Sequence, residues 1–258
     1  DGIVRIRFYQ WARPTVSLGY FQRYAEFNQF CHTHSSEDIS KINVVRRATG
    51  GGAIVHHFDW TYAISIPAQL EHEKKTVGAS CGLYFNLHRA IADWLNRHWL
   101  DSPPGHIKQL ARLWGAGGGW ACSKGGCGVQ HLESRFRKSW GFLCSNRRSS
   151  GDIVIGACKV MGSAQRRWKS ALLQHGSLLL ASSPFAPELL GLQEITGKRS
   201  ELEGFCNEIE SDLAMSVLDR MEECYQLALS RWDSSRPFIE ITDKMRKRLE
   251  SQSWIARI

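Results

Sequence analysis

The sequence predicts an α/β (α+β) fold, one domain with a mixed sheet and flanking helices, on three observations. The first quarter is rich in strand patterns. One amphipathic helical stretch runs from Val77 to His98. Strand character then returns at Asp152–Met161 and Gly176–Ala181, ahead of a last helical stripe. With 258 residues, 43% of them hydrophobic and ten of them tryptophan, the chain can bury a full core. One domain spanning 1–258 is expected.

Ile3–Tyr9 alternates apolar and polar positions, as a half-buried strand does. After the loop signal Trp11-Ala-Arg-Pro14, a short strand is expected at Val16–Tyr20, and another at Val44–Arg47 that ends in Gly50-Gly51-Gly52. Ala53–His57 and Thr61–Ile66 read as two strands with a tight connection. These elements are expected to share one antiparallel or mixed sheet. In the helical stretch Val77, Ser80, Tyr84, Leu87, Ile91, Leu95 and His98 recur three or four apart, with Pro103-Pro104 beyond it. Gly115–Gly128 is glycine-rich and reads as a loop. Ser200 and Glu203 form a capping box before the stripe Leu202, Phe205, Ile209, Leu213, Val217, Met221 and Cys224, which is packing rather than a cofactor box.

Composition narrows the function classes. No charged-then-apolar leader and no membrane-spanning apolar run is visible, so a cytoplasmic protein is expected. The eight cysteines are irregularly spaced and read as free thiols. Cys122 and Cys127 lack a second pair that would complete a zinc site, so no metal is expected. Ser123-Lys124 lies outside a P-loop order. The net charge of +8 points to an acidic partner, yet no nucleic-acid-binding signature accompanies it. Its basic clusters (Arg46-Arg47, Arg135–Lys138, Arg147-Arg148, Arg166-Arg167 with Lys169) read as solvated surface or as a face for acidic carrier proteins.

Three segments carry chemistry. Three consecutive glycines between apolar runs, at Gly50, Gly51 and Gly52, make sense where backbone approaches a ligand or takes positive φ, or in a bulged hairpin. Lys159 sits in an otherwise apolar strand, either snorkelling to solvent or held over a pocket as a cation for an oxyanion or a thiolate. Gly162, Ser163 and Ala164 follow it and allow close approach. His175 lies at the entry to a strand, where a structural role and a catalytic one are both open.

Taken together, the segments resemble the lipoate–protein ligase and octanoyltransferase superfamily, the biotin/lipoate A/B ligases. The matching pieces are Trp11–Gln22, the Arg46–His57 glycine motif, Lys159-Val-Met-Gly-Ser-Ala-Gln-Arg166 and Gln174-His-Gly-Ser-Leu-Leu179, in order from Trp11 to about Leu180. The resemblance implies a mixed sheet of the class II aminoacyl-tRNA synthetase/biotin-ligase kind that holds an acyl chain. With about eighty residues beyond His175, no separate C-terminal accessory domain is expected. The motif positions imply acyl- or substrate-binding roles for Arg46, Arg47, Thr49, Gly50, Gly51, Gly52, His56, Gly162, Ser163, Ala164, Gln165, His175 and Gly176.

Within the superfamily the chain is similar to cysteine-dependent octanoyltransferases. Cys144 lies upstream of Lys159 at the separation that subfamily uses, and Thr61-Tyr62 is transferase-like. The resemblance implies Cys144 as nucleophile with Lys159 beside it, and Cys158 as a rival that strand alternation turns the other way. The reaction implied moves an octanoyl or lipoyl group from acyl carrier protein to a lysine of a lipoyl domain or of the glycine-cleavage H protein, without a cofactor. Two alternatives stay open: an ATP-dependent lipoate ligase domain, which would need ATP and Mg, and a non-catalytic acyl- or lipoyl-carrier binding module.

Overall fold

The computed structural model describes residues 4–34, 41–69, 82–99, 111–114, 142–197, 212–221 and 255. Among these residues nine strands form two sheets. The larger contains β1 (Arg5–Tyr9), β5 (Asp59–Pro67), β6 (Ala111–Leu113), β7 (Ile153–Ile155), β8 (Cys158–Arg167) and β9 (Ala171–Leu179), in the order β1-β5-β9-β8-β7-β6. Every neighbouring pair in it is antiparallel. The smaller sheet has β2 (Thr15–Leu18) at its centre, parallel to β3 (Asn43–Arg46) and antiparallel to β4 (Ile54–His56).

Strand alternation builds the main core. Trp60, Tyr62, Ile64 and Ile66 all point to one face of β5 and are fully buried. They pack with Met161 and Leu178 against α2 (Leu83–Trp94), whose Leu83, Leu87, Ala90, Ile91 and Trp94 recur at helical spacing. Leu213, Val217 and Met221 of the helical segment 212–221 complete this core, as the stripe predicts. The other four residues of that stripe, the capping box, Val77, Ser80 and the Gly115–Gly128 loop lie outside the described residues, as do Cys122 and Cys127.

A second core lies under the small sheet. Val16, Leu18 and Val55 pack there with Phe27, Phe30 and Cys31 of α1 (Tyr24–His34) and with Phe142 and Leu143. Phe30 and Phe142 stack with ring centroids 4.9 Å apart, which ties the Cys144 segment to α1.

Several expectations need correcting. The early strands divide between two sheets, because the turn at His57-Phe58 passes the chain from β4 in one sheet to β5 in the other rather than closing a hairpin. Strand β2 stops at Leu18, short of Tyr20. Asp152–Met161 is not one strand: it folds back at Gly156, which has φ +57°, so that β7 and β8 pair. Strand β8 then continues through Gly162-Ser163-Ala164 to Arg167, and β9 begins at Ala171, which puts His175 in mid-strand. The helix ends at Trp94 and widens into a π-helical turn over Leu95–Trp99. Helix α1 and strand β6 were not anticipated, although Phe27, Phe30 and Cys31 have helical spacing. A short helix α3 (Leu192–Thr196) follows β9 and ends at Gly197. Among the described residues no helix is long and apolar enough to cross a membrane, and no three metal-ligating side chains cluster.

Candidate active site

Cys144 opens a single 3-10 turn (Cys144–Asn146) that is fastened to the glycine motif. Ala53 N–H donates to Phe142 O at 2.7 Å, and Cys144 N–H donates to Ala53 O at 2.8 Å. This close approach requires glycine at position 52: a Cβ there would lie 2.8 Å from Cys144 N and 2.9 Å from Phe142 O. Gly51 has φ +95°, the other expected reason for glycine, whereas Gly50 faces only Phe21, at 3.9 Å.

Lys159, at the start of β8, reaches back to this turn. Its Nζ lies 3.9 Å from Cys144 Sγ, 3.3 Å from Cys144 O and 2.9 Å from Arg147 O. An ion pair fixes it there, with Nζ 2.8 Å from Asp152 Oδ2 and both side chains almost wholly buried. Asp152 is in turn held by Ser149 N–H on Oδ2 (2.6 Å) and by the Tyr84 hydroxyl on Oδ1 (2.8 Å). Gly162 leaves room for the lysine, since a Cβ there would meet Lys159 Cε at 2.6 Å. Of the two rival cysteines, Cys144 brings its sulfur to this ammonium, at 3.9 Å.

A cleft opens at the pair, lined by Ile54, Cys144, Ser145, Lys159, Val160, Met161, Gly162, Ser177 and Leu179. Ile54, Val160, Met161 and Leu179 give it an aliphatic side and Cys144, Ser145, Lys159 and Ser177 a polar one, an arrangement that suits an apolar chain with a reactive head.

Of the predicted residues, Cys144, Lys159 and Gly162 line the cleft, and the others lie outside its lining. Arg47 spans the glycine motif, donating to Ser17 O (2.6 Å), Gly50 O (3.0 Å) and Gly52 O. Burial pulls its pKa down to about 10, with the negative charge a Cys144 thiolate would carry acting the other way. Arg46 is 3% exposed and spends its guanidinium on carbonyl oxygens of Gly19, Tyr20, Gln22 and Ile255. It is a buried strut, so the Arg46-Arg47 cluster is not a solvated face. Arg135–Lys138 lies outside the described residues.

Thr49 Oγ1 meets His175 Nε2 at 2.5 Å, beside Ala164, which pairs with His175 across the sheet. Burial, followed by the charges of Arg47 and His56, pushes the His175 pKa down to about 4. His56 donates from Nδ1 to Asp59 Oδ2 at 2.7 Å, contacts Ser17 Oγ through Nε2 at 2.8 Å, and is stacked under Trp11.

Ser163, Gln165 and Gly176 are not brought to the cleft. Ser163 faces α2, where a directed hydrogen-bond chain runs. Gln165 donates to Gln174 (2.7 Å), Gln174 to the Tyr62 hydroxyl (2.7 Å), Tyr62 to Ser163 (2.6 Å), and Ser163 to His88 Nε2 (2.6 Å). Because Gly151 O can only accept, His88 carries its hydrogen on Nδ1 (2.6 Å). Burial pushes the His88 pKa down to about 4, and its neutral form props the turn that carries Asp152. Gly176 is needed because a Cβ would collide with Ser163 and Tyr62.

Sequence reasoning missed Asp152, Tyr84, His88, Asp59 and Ser177. Asp59 and Asp152 did leave a signal: each is an acidic residue at the threshold of an apolar strand, and each is buried.

The family model for the biotin/lipoate A/B protein ligase family matches residues 18–182. The octanoyltransferase LipM of Carboxydothermus hydrogenoformans is 29% identical over 175 residues, covering 68% of this chain and 52% of that protein. LipM of Exiguobacterium sibiricum is 22% identical over 279 residues, covering 96% and 85%. The chain thus spans about half the length of the first of these relatives. Among solved structures, Thermoplasma acidophilum Ta0514 with bound lipoic acid has a TM-score of 0.56 at 16% identity, over 99% of this chain and 86% of that one. A lipoate-protein ligase A bound with ATP has a TM-score of 0.54 at 16% identity, over 99% and 87%. These neighbours share the fold, the family model covers well over half of the sequence, and the chain therefore belongs to the biotin/lipoate A/B protein ligase family.

Proposed function

We propose that the chain transfers an octanoyl (or lipoyl) group from acyl carrier protein to a lysine of a lipoyl domain or glycine-cleavage H protein, through a thioester on Cys144. The observation that carries this reading is the Lys159 ammonium 3.9 Å from Cys144 Sγ at the edge of a cleft with an aliphatic side. Similarity to the octanoyltransferases LipM supports it, as does a fold neighbour studied with its E2 lipoyl domain, a Thermoplasma acidophilum ligase with a TM-score of 0.55.

The chemistry runs in two halves. The Cys144 thiolate attacks the donor thioester carbonyl, and Lys159 Nζ holds the oxygen as it gains charge. The donor thiol leaves with the proton that Cys144 gave up. Thioester exchange is nearly balanced in free energy, so no nucleotide is consumed. The acceptor amine then attacks the Cys144 thioester to give an amide, a downhill step that returns the thiol. The acyl tail lies along Ile54, Val160, Met161 and Leu179 throughout. Asp152 keeps Lys159 aimed, while Gly52 and Ala53 keep the sulfur in reach.

Intact-protein mass after mixing with octanoyl–acyl carrier protein, without ATP, tests this directly. The wild type is expected to gain one octanoyl group that neutral hydroxylamine removes, and Cys144→Ala to gain none. An unmodified wild type would defeat the reading and direct attention to ATP-dependent activation of free lipoate.

A further inference from the structure

Acyl transfer through a Cys144 thioester uses two of the polar side chains that line the cleft, Cys144 and Lys159. Two others remain, Ser145 and Ser177. Ser177 has a carboxylate directly behind it: its hydroxyl lies 2.6 Å from Asp59 Oδ2. Asp59 is 2% exposed and accepts at the same oxygen from His56 Nδ1 (2.7 Å) and Thr61 Oγ1 (2.9 Å). Its other oxygen, Oδ1, is buried and has no hydrogen-bond partner among the described residues. A buried carboxylate oxygen without a donor is costly unless something else at the site answers it.

We infer that Ser177, backed by Asp59, is the subsite for the incoming primary amine of the acceptor lysine. The inference rests on the acyl-transfer reading. Ser177 spends its only hydrogen on Asp59, so its oxygen presents lone pairs to the cleft and suits an N–H donor. The carboxylate polarises that hydroxyl and favours positive charge in front of it. Lys159, the charged side chain that lines the cleft, is ion-paired with Asp152 at 2.8 Å. The cleft is then divided by chemistry: a cation on the β7–β8 side holds the acyl oxygen, and an anion-backed acceptor on β9 holds the nucleophile.

The step balances without another reactant. The ammonium releases one proton to solvent water at the cleft mouth. The amine then forms the C–N bond at the thioester carbonyl while one N–H is held by Ser177 Oγ. The C–S bond breaks, and the surplus proton on nitrogen passes to the Cys144 thiolate. A role confined to joining the sheets is the competing account of Asp59, since His56, Thr61 and Ser177 meet on it from three strands.

Separating the two half-reactions decides between them. Octanoyl–acyl carrier protein would load Cys144, and a purified lipoyl domain would then be added in a single turnover, for wild type, Ser177→Ala, Ser177→Thr and Asp59→Asn. Loading is expected to stay within about twofold in Ser177→Ala, while transfer to the lipoyl-domain lysine slows about tenfold to a hundredfold. Ser177→Thr, which keeps the hydroxyl, should recover most of the transfer rate, and Asp59→Asn should be slow in transfer at all acceptor concentrations. Undiminished transfer in Ser177→Ala, or loading and transfer falling in parallel, would overturn the subsite. A wild type that never loads would remove the acyl-transfer reading, and the subsite with it.

Discussion

Lys159 Nζ lies 2.8 Å from Asp152 Oδ2, and the same ammonium lies 3.9 Å from Cys144 Sγ. The carboxylate therefore decides where the cation sits relative to the sulfur. Asp152→Asn would leave a buried ammonium with only carbonyl oxygens around it. The cost to folding is expected to be about 3–5 kcal/mol, read from the urea midpoint. Octanoyl loading of the folded fraction should fall at least about tenfold, as the ammonium drifts from the position it occupies. Tyr84→Phe removes one donor from the same carboxylate and should cost only about 1–2 kcal/mol. Equal stability of Asp152→Asn and wild type would show that the pair does not hold the turn.

Gly52→Ala tests the fastening of the nucleophile. The added methyl meets two backbone atoms, Cys144 N and Phe142 O, so relief requires the loop itself to move. Stability should fall by about 1–3 kcal/mol, with circular dichroism unchanged, while loading slows about tenfold to a hundredfold. Gly162→Ala places its methyl against the end of a flexible side chain instead. It should cost less in stability yet still displace Lys159, so it should slow loading as well.

The buried histidines set an acid limit. The folded His88 pKa, about 4, lies below the ordinary 6.5, so between those values the unfolded chain binds more protons than the folded one. The stability contributed by neutral His88 is complete above about pH 6.5. It is lost as pH falls toward 4, by about 3 kcal/mol at most. His175 follows the same sign over the same window. Urea titrations at pH 7 and pH 4.5 would measure the slope. His88→Gln should be less stable at pH 7 and should show a smaller drop between the two pH values; an unchanged drop would mean that His88 titrates normally.

Much of the fold was legible because its signals are local. Trp60, Tyr62, Ile64 and Ile66 alternate in sequence as they do in β5, and the Leu83–Trp94 helix carries its own apolar spacing. The strand ends were less legible. Whether Asp152–Met161 runs straight or folds at Gly156 depends on pairing with β6 and β9, which no window of ten residues contains. Arg46 and Arg47 illustrate the same limit. Adjacent in one motif, they look alike in sequence, yet one braces main-chain carbonyls around Gly19 and Ile255 while the other spans the glycine loop.

The sequence by itself determined the family, through four motifs in order, and the resemblance those motifs carry pointed to Cys144 and Lys159 as the candidate pair. Only the tertiary structure brought Ser177 to Asp59 across 118 residues, and Tyr84 to Asp152 across 68. Both carboxylates stand at strand thresholds that any surface turn could share. What distinguishes them is desolvation and the hydroxyls that converge on them, and those arise only when distant strands and a helix pack together.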